Sequence, residues 1–454
     1  MINQVRAFIQ KHALIASGDT VIVAVSGGPD SIALLHVLTI LAPELQCDLA
    51  VAHVNHLLRE NANEDERFVR DCCEKWEIPF YTTHQDVASF AKTAKKSLED
   101  AGRVKRYEFF RELAEKLEAS CIATAHHHDD VAETVLLHLL RGTGIKGLRG
   151  IMPHNGQLVR PFLDVTRQEI LNYLSQNQLA YRIDESNDCV AYTRNRIRHE
   201  LIPYLEESFN PRIVETLCQL ARISADENDL MEAWTDECWH EIVSAPEGET
   251  IHLNRSAFSA LPVAIQRRLV MFAFSQLSEN GGWTLSDAEK VLILSEKDGS
   301  SRVLHLKKKV KVNLSYDKIV FTRQLPERKG FKYRVPIPGQ IKIEETGDTY
   351  EFRLIPREGF QPCPEEFYFD YNCLSQPLYL RSRKNGDVFC PFGMKGTKKV
   401  KDFFIDQKIP YFERERLALL VSAEDKVYAI LGFRRGREAL VSTNTDTILV
   451  IKKA

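Results

Sequence analysis

Five consecutive apolar residues, Val21 to Val25, run into Ser26, Gly27, Gly28, Pro29, Asp30 and Ser31, and the apolar stretch Ile32 to Leu41 follows. A continuous, mostly β-branched run of this kind is buried on both faces, the habit of a central strand in a parallel sheet. The next stretch reads as a helix, so the two glycines stand at a strand-to-helix turn. Without a Cβ at Gly27 and Gly28 the backbone can close on an anion, and the helix start offers unpaired N–H groups and a positive dipole end. Ser26 and Ser31 add hydroxyl donors. Asp30 is unfavourable beside phosphate unless a cation or a reacting group uses it, which suggests Mg²⁺. No Gly-Lys-Ser/Thr follows, so this is not a Walker loop.

The same grammar continues along the chain. Leu49 to Val54 reads as a second strand running into His53, Val54, Asn55, His56, Leu57, Leu58 and Arg59, and Phe80 to Thr83 as a short third. Cys121 to Ala125 makes a fourth, leading into His126, His127, His128, Asp129, Asp130, Val131, Ala132, Glu133 and Thr134; Leu158 and Val159 hint at a fifth. Helical patterns separate them, one with Phe68, Val69, Cys72, Cys73 and Trp76 on a face and a long one from about Ser97 to Glu118. A last one opens with Thr166 and Glu169 at capping-box spacing. Alternating strands and helices predict an α/β domain, a twisted parallel sheet flanked by helices and wound by right-handed crossovers. Ligands bind beyond the carboxyl ends of such strands. The polar clusters at 26–31, 53–59 and 126–133 each begin where a strand ends, so they are expected to converge on one site.

Each cluster also has a plain structural reading. Three consecutive histidines invite a metal, but chain neighbours point in different directions and the i,i+4 zinc spacing is missing. Asp129, Asp130 and Glu133 suit the first turn of a helix through its dipole; yet Asp130 and Glu133, three apart on one face beside a triphosphate, need Mg²⁺ or a cationic substrate. His53 and His56 are equally compatible with satisfied polar residues at a strand end. Arg103, Arg106 and Tyr107 form a basic patch that is either a solvated helix face or a clamp for phosphate. Arg194, Asn195, Arg196 and Arg198 follow Asp184 to Asp188, and such alternation of sign suggests a network.

At 454 residues the chain has room for two to four domains. With 60 Lys+Arg against 63 Asp+Glu, whole-chain charge decides nothing about nucleic acid. Ten cysteines without a CxxC pair suit a reducing compartment and argue against structural zinc or an iron–sulfur cluster. The N-terminus lacks a signal-peptide pattern, and no run approaches the ~18 apolar residues of a membrane span. A soluble, cytoplasmic protein is expected.

Three domains are expected: 1–210 as the α/β catalytic domain, 211–325 as a mainly helical one, and 326–454 as a β-rich one. In the helical segment Leu230, Trp234, Cys238 and Trp239 share one face. Alternation of Val310, Val312 and Leu314 with lysines and asparagine announces strands from Arg302. Between Arg381 and Lys408 eight basic residues (Arg381, Arg383, Lys384, Lys395, Lys398, Lys399, Lys401, Lys408) stand against three acidic ones, with glycines and Phe389 and Phe392 among them. That is the local signature of nucleic-acid binding in a near-neutral chain.

The loop Ser26 to Ser31 resembles the SGGxDS loop of PP-loop ATP pyrophosphatases, which split ATP between its α and β phosphates. With HVNHLLR at 53–59, TAHHHDDVAET at 124–134, RGTGIKGLRG at 141–150, Arg160-Pro161, DESND at 184–188, YTRNRIR at 192–198 and, more loosely, the stretch 385–410, the chain resembles the tRNA(Ile)-lysidine synthetase family along most of its length. Gly102 departs from the alanine more common there, and 430–436 fits loosely.

The resemblance implies ligation of free L-lysine to C2 of the wobble cytidine in tRNA(Ile) with a CAU anticodon, at the expense of ATP. The cytosine O2 attacks the α-phosphate and releases pyrophosphate; the lysine ε-amine then attacks C2 and expels AMP, changing codon reading from AUG to AUA. It implies ATP contacts at Ser26, Gly27, Gly28, Pro29, Asp30, Ser31, His53 and Ala125, Mg²⁺ on Asp30, and catalytic roles for Asp30, Arg103, Arg106 and Asp130. Asp130 and Glu133 would hold lysine. Arg194, Arg196, Arg198, Arg383, Lys395, Lys398, Lys399 and Lys401 would contact tRNA. A homodimer is compatible with the sequence, which does not fix the oligomeric state. The competing readings are a sibling thiolase, which would need cysteine pairs, and a non-catalytic RNA-binding protein.

Overall fold

Val21 and Val23 bury one face of the first strand against helices, while Ile22 buries the other. In the computed structural model, which describes residues 1–57, 62–182, 193–247, 250–278, 281–296, 302–323, 330–394, 396–409 and 413–454, the chain divides into two units, 1–230 and 231–454. The first unit runs α1 (Ile2–Lys11), β1 (Thr20–Ala24), α2 (Pro29–Leu45), β2 (Asp48–Asn55), α3 (Ala62–Lys75), β3 (Phe80–His84), α4 (Val87–Ala94) and α5 (Leu98–Leu117). It continues through β4 (Cys121–Ala123), α6 (His128–Arg141), α7 (Ile145–Leu148), β5 (His154–Asn155), β6 (Leu158–Val159), α8 (Arg167–Gln176), α9 (Thr193–Arg196), a π-helical turn Ile197–Leu201 and α10 (Ile202–Ser208). A long helix, α11 (Ile213–Ile242), follows.

The sheet order is β3-β2-β1-β4-β6-β5, parallel except for the antiparallel β5–β6 edge. The strand pair β5–β6 replaces the single fifth strand expected from Leu158 and Val159. Two strands, β2 and β3, are laid to one side of β1 and the chain then returns to place β4 on its other side. The reversal opens a crevice at the carboxyl ends of β1 and β4, where doubly wound sheets bind ligands.

Local chemistry sets the helix starts that face this crevice. Gly28 is the N-cap of α2 with Pro29 at its first position, where a missing N–H costs nothing. Ser97 caps α5, accepting from Asp100 N at 3.1 Å, and Thr166 and Glu169 form the expected capping box on α8. Val131, Val135 and Leu136 of α6 pack with Ile197, Ile202, Leu217 and Ala221, which fastens the π turn and the start of α11 to the site helix.

In the second unit, helices Val263–Leu277 and Leu285–Glu296 cover a five-stranded antiparallel sheet that includes the strands expected from Arg302 onward. Cys238 and Trp239 join this core, Trp239 edge-on to Phe272 at 4.6 Å. Leu230 and Trp234, expected on the same face, are exposed instead. The described residues beyond 330 form a five-stranded and a four-stranded antiparallel sheet around Phe352, Phe369, Leu380, Leu420 and Tyr428, with a two-stranded ribbon of Val388–Phe389 and Lys398–Lys399 beside them.

Gly102 lies inside α5, and a Cβ there would meet Val87 Cγ1 at 3.7 Å and His56 Cε1 at 3.8 Å, both ordinary contacts. Gly102→Ala is therefore expected to stabilise the protein by about 0.5–1 kcal/mol through reduced backbone entropy of the unfolded chain. Urea denaturation checks this; a lower midpoint would mean that the His56 ring does not admit the methyl group.

Candidate active site

The phosphate loop is held open by its own serines. Ser31 Oγ donates to Gly28 O at 2.9 Å and accepts from Ser26 N at 3.2 Å. Gly27 adopts φ +94°, a left-handed value that an L side chain takes only under strain, and its carbonyl accepts from Arg182 N at 2.9 Å. Arg182 is fixed in turn by Asp65 at 3.0 Å and Glu64 at 2.8 Å.

Behind β1, His53 is buried with Nδ1 2.9 Å from Val25 O. A carbonyl only accepts, so Nδ1 carries the hydrogen and Nε2 is the bare acceptor. Burial lowers its pKa, which keeps the ring neutral. The neighbouring Asn55 and Glu66 form a second polar knot, Glu66 taking His84 Nε2 at 2.8 Å.

Across the crevice stands His127, 1 % exposed. Its Nε2 lies 3.8 Å from Asp30 Oδ2 and 3.6 Å from Asp130 Oδ2, and its Nδ1 lies 3.4 Å from Asp129 Oδ2. Burial opposes a charge on this ring, but the three carboxylates outweigh it and raise the pKa. Asp129 also accepts from Arg167 N at 3.0 Å, and these contacts overcome burial to hold its carboxyl down to about 2. Asp30 behaves oppositely: burial pushes it above its ordinary value in spite of His127, and its Oδ1 is enclosed with no hydrogen-bond partner among the described residues.

Asp130 and Glu133 are clamped by a pair of arginines. Arg194 reaches Asp130 at 2.9 Å and Glu133 at 2.8 Å; Arg198 reaches Asp130 at 3.1 Å and contacts Glu133 through Nε. Burial would raise the Asp130 carboxyl, yet His127 and Arg194 hold it below its usual value. Each arginine thus bridges both acids, and Glu133 is 1 % exposed. Removing the cations without replacement would strand a buried carboxylate, at a cost of about 3–5 kcal/mol.

A model of the PP-loop domain family matches residues 1–205, and one described as the TilS substrate C-terminal domain matches 378–451. The tRNA(Ile)-lysidine synthase of Caldanaerobacter subterraneus subsp. tengcongensis is 37% identical, covering 100% of this chain and 97% of its own. That of Geobacter sulfurreducens is also 37% identical over 100% and 97%, and that of Geobacillus kaustophilus is 36% identical over 96% and 95%. The chain belongs to the tRNA(Ile)-lysidine synthase family.

For this member of the lysidine synthase family, the loop residues, Asp30, His53, Asp130 and Glu133 all lie at the carboxyl ends of β1, β2 and β4, with Ala125 on the same β4 end. Arg194 and Arg198 face the acidic pair, and Arg196 forms an exposed pair with Glu200 at 3.3 Å. Arg103 and Arg106 are exposed on α5, Arg103 lying over the Tyr107 ring at 5.7 Å. In the second unit Arg383 pairs with Glu415 at 2.6 Å and Lys398 pairs with Asp406. Lys399 and Lys401 are exposed. Lys395, Leu58, Arg59 and the stretch 183–192 lie outside the described residues.

His126, His127, Asp129, Arg160 and Arg182 stand at or beside the site without having been expected among its catalytic or binding residues. The only available signals were the polar run 126–130 and the Arg160-Pro161 pair. Among the described residues no group of three or more His, Cys, Asp or Glu could hold a metal by itself. Mg²⁺ that travels with ATP asks for only one or two carboxylates plus phosphate oxygens, and the orphaned Asp30 Oδ1 beside the loop fits that demand. No helix among the described residues is long and apolar enough to cross a membrane.

His126 lies beside Thr124, Nδ1 to Oγ1 at 3.0 Å, and burial takes its pKa down to about 4. Below pH 6.5 the unfolded chain accepts a proton that the folded chain refuses, so this contribution to stability falls from about pH 6.5 to pH 4 and then levels off. Between pH 7 and 4.5 the wild type should lose on the order of 2 kcal/mol more than His126→Gln in chemical denaturation. Equal losses would show that the ring is not the cause.

Proposed function

We propose that the chain joins free L-lysine to C2 of the wobble cytidine in a CAU-anticodon tRNA(Ile) by way of an O2-adenylated base. The single observation carrying this reading is the acidic pair Asp130–Glu133, held by two guanidiniums beside an ATP pyrophosphatase loop. An enzyme that only splits ATP has no need of two buried anions next to a triphosphate. One that brings an amino acid with an α-ammonium group does.

In the first step the cytosine O2 attacks the α-phosphate and the bond to the β-phosphate oxygen breaks, so pyrophosphate departs. The amides of Gly27 and Gly28, with the hydroxyls of Ser26 and Ser31, take up charge on the leaving group. Mg²⁺ held by Asp30 would supply further charge neutralisation there. Arg103 or Arg106 would face the α-phosphate. In the second step the lysine ε-amine attacks C2, loses its proton and expels AMP. Adenylation has by then turned a poor leaving oxygen into a good one.

Lysine would enter by exchange. Its α-ammonium replaces guanidinium at Asp130 and Glu133, so that the acids are never left uncompensated. Arg194 and Arg198 then turn to phosphate, of ATP or of the tRNA, which reconciles their pairing in the free protein with a role toward the nucleic acid. His53, neutral and with Nε2 bare, offers an acceptor to the nucleotide.

Pyrophosphate release from ATP with an unmodified CAU-anticodon isoleucine transcript, followed by labelled lysine appearing in the RNA, is the expected result. Release without incorporation would move the nucleophile elsewhere, and no release would leave only RNA binding. Asp130→Asn should raise the KM for lysine about ten- to a hundredfold, as for loss of a charge-assisted hydrogen bond, while the KM for ATP changes far less. Parallel loss on both substrates would sink the lysine assignment.

A further inference from the structure

A groove of about 480 Å³ runs along α5, lined by Lys96, Asp100, Arg103, Val104, Tyr107 and Arg111. Its one acid is committed elsewhere, since Asp100 takes Ser97 Oγ at 2.7 Å in the helix cap. Among the described residues no ion pair is formed by Lys96, Arg103 or Arg111. Behind the groove sits Arg160, 8 % exposed, which donates to Met152 O at 2.6 Å and has no carboxylate partner among the described residues. Its pKa is lowered by burial and by the nearby Arg103. A buried guanidinium under a row of unpaired cations is an unbalanced field, costly to keep unless an anion completes it.

The cations are spread rather than clustered. From Lys96 to Arg111 the chain advances ~20 Å along the helix. One small anion cannot bridge that length, whereas an extended phosphodiester strand can. Tyr107 sits between them under Arg103, and an aromatic ring with a guanidinium is the surface on which an unstacked base rests. Next to Arg103, a Cβ on Gly102 would stand 3.8 Å from His56 Cε1, so α5 passes the carboxyl end of β2, on the side of the sheet where the base must react.

We propose that the α5 groove seats the single strand flanking the reacting cytidine, with phosphates on Lys96 and Arg111 and a base against Tyr107. This rests on the proposed function, whose substrate is RNA. Arg106 is then the α5 arginine left for the α-phosphate.

The test uses the full chain and a fluorescent, unmodified CAU anticodon stem-loop. The double variant Lys96→Glu/Arg111→Glu should weaken stem-loop binding by roughly tenfold or more and reduce the slope of log affinity against log salt by about two. Affinity for a non-hydrolysable ATP analogue should stay within twofold, which also shows that the fold is intact. Tyr107→Ala should weaken binding with no change of salt slope, and Tyr107→Phe should restore it. Unchanged affinity and slope in the double variant would overturn the groove while leaving the lysine-ligating reading intact. A wild-type protein that neither binds the stem-loop nor incorporates lysine into full tRNA would overturn both.

Discussion

Because Val21 and Val23 face one helical layer and Ile22 the other, β1 cannot lie at a sheet edge. Each such side chain contributes about 1.5–3 kcal/mol when fully buried, so exposing either face would cost more than a domain of this size can spare. With β1 in the middle, β2 and β4 are its neighbours, register Ile22 with Ala50 on one side and Ile122 on the other. The loop after β1 must then face the loop after β4. The contact between Asp30 and His127 follows from that register rather than from any attraction between the two side chains.

Within the crevice the carboxylates have been made unequal. Asp129 is held down to about 2 and ties α6 to the first turn of α8 through Arg167 N, a structural task. Asp30 is pushed the other way by burial and keeps an oxygen with no partner among the described residues. Environments that drive like groups apart are how one site separates a fixed anion from one awaiting a cation. Asp130 and Glu133 are compensated differently, by the side chains of Arg194 and Arg198. Arginine suits this because its planar fork bridges two carboxylates at once and reforms the same geometry on phosphate.

How far the sequence announced this depends on the range of the interaction. The β-branched run, the glycine turn and the Thr166–Glu169 box are local, and local rules read them. The convergence of three strand-end clusters needed only the handedness and winding of a parallel sheet. Pairing of Arg194 and Arg198 with acids more than sixty positions earlier was not legible, because it depends on how the π turn packs on α6. The opposite electrostatics of His126 and His127 were equally hidden: adjacent residues in a loop point to different surroundings, one toward Thr124 and the other among three carboxylates. Helical periodicity placed Leu230 and Trp234 with Cys238, but a periodic face is buried only as far as a partner covers it.

Counting charges along a chain has the same weakness, and it bears on where RNA can be held. The basic excess between Arg381 and Lys408 shrinks once partners are assigned. Arg381 is enclosed between Asp387 at 2.7 Å and Asp425 at 2.9 Å, Lys384 also reaches Asp425 at 2.7 Å, Arg383 holds Glu415, and Lys398 holds Asp406. These charges fix the β-rich fold. Lys399, Lys401 and Lys408 remain exposed there. On α5 the arithmetic runs the other way: a stretch that in sequence carries acids and bases in near balance folds so that Asp100 is spent on a cap and Lys105 on Glu108, while among the described residues Lys96, Arg103 and Arg111 form no ion pair. Net local charge in a sequence therefore describes neither surface by itself, and the partners of each side chain decide which field an approaching charge meets.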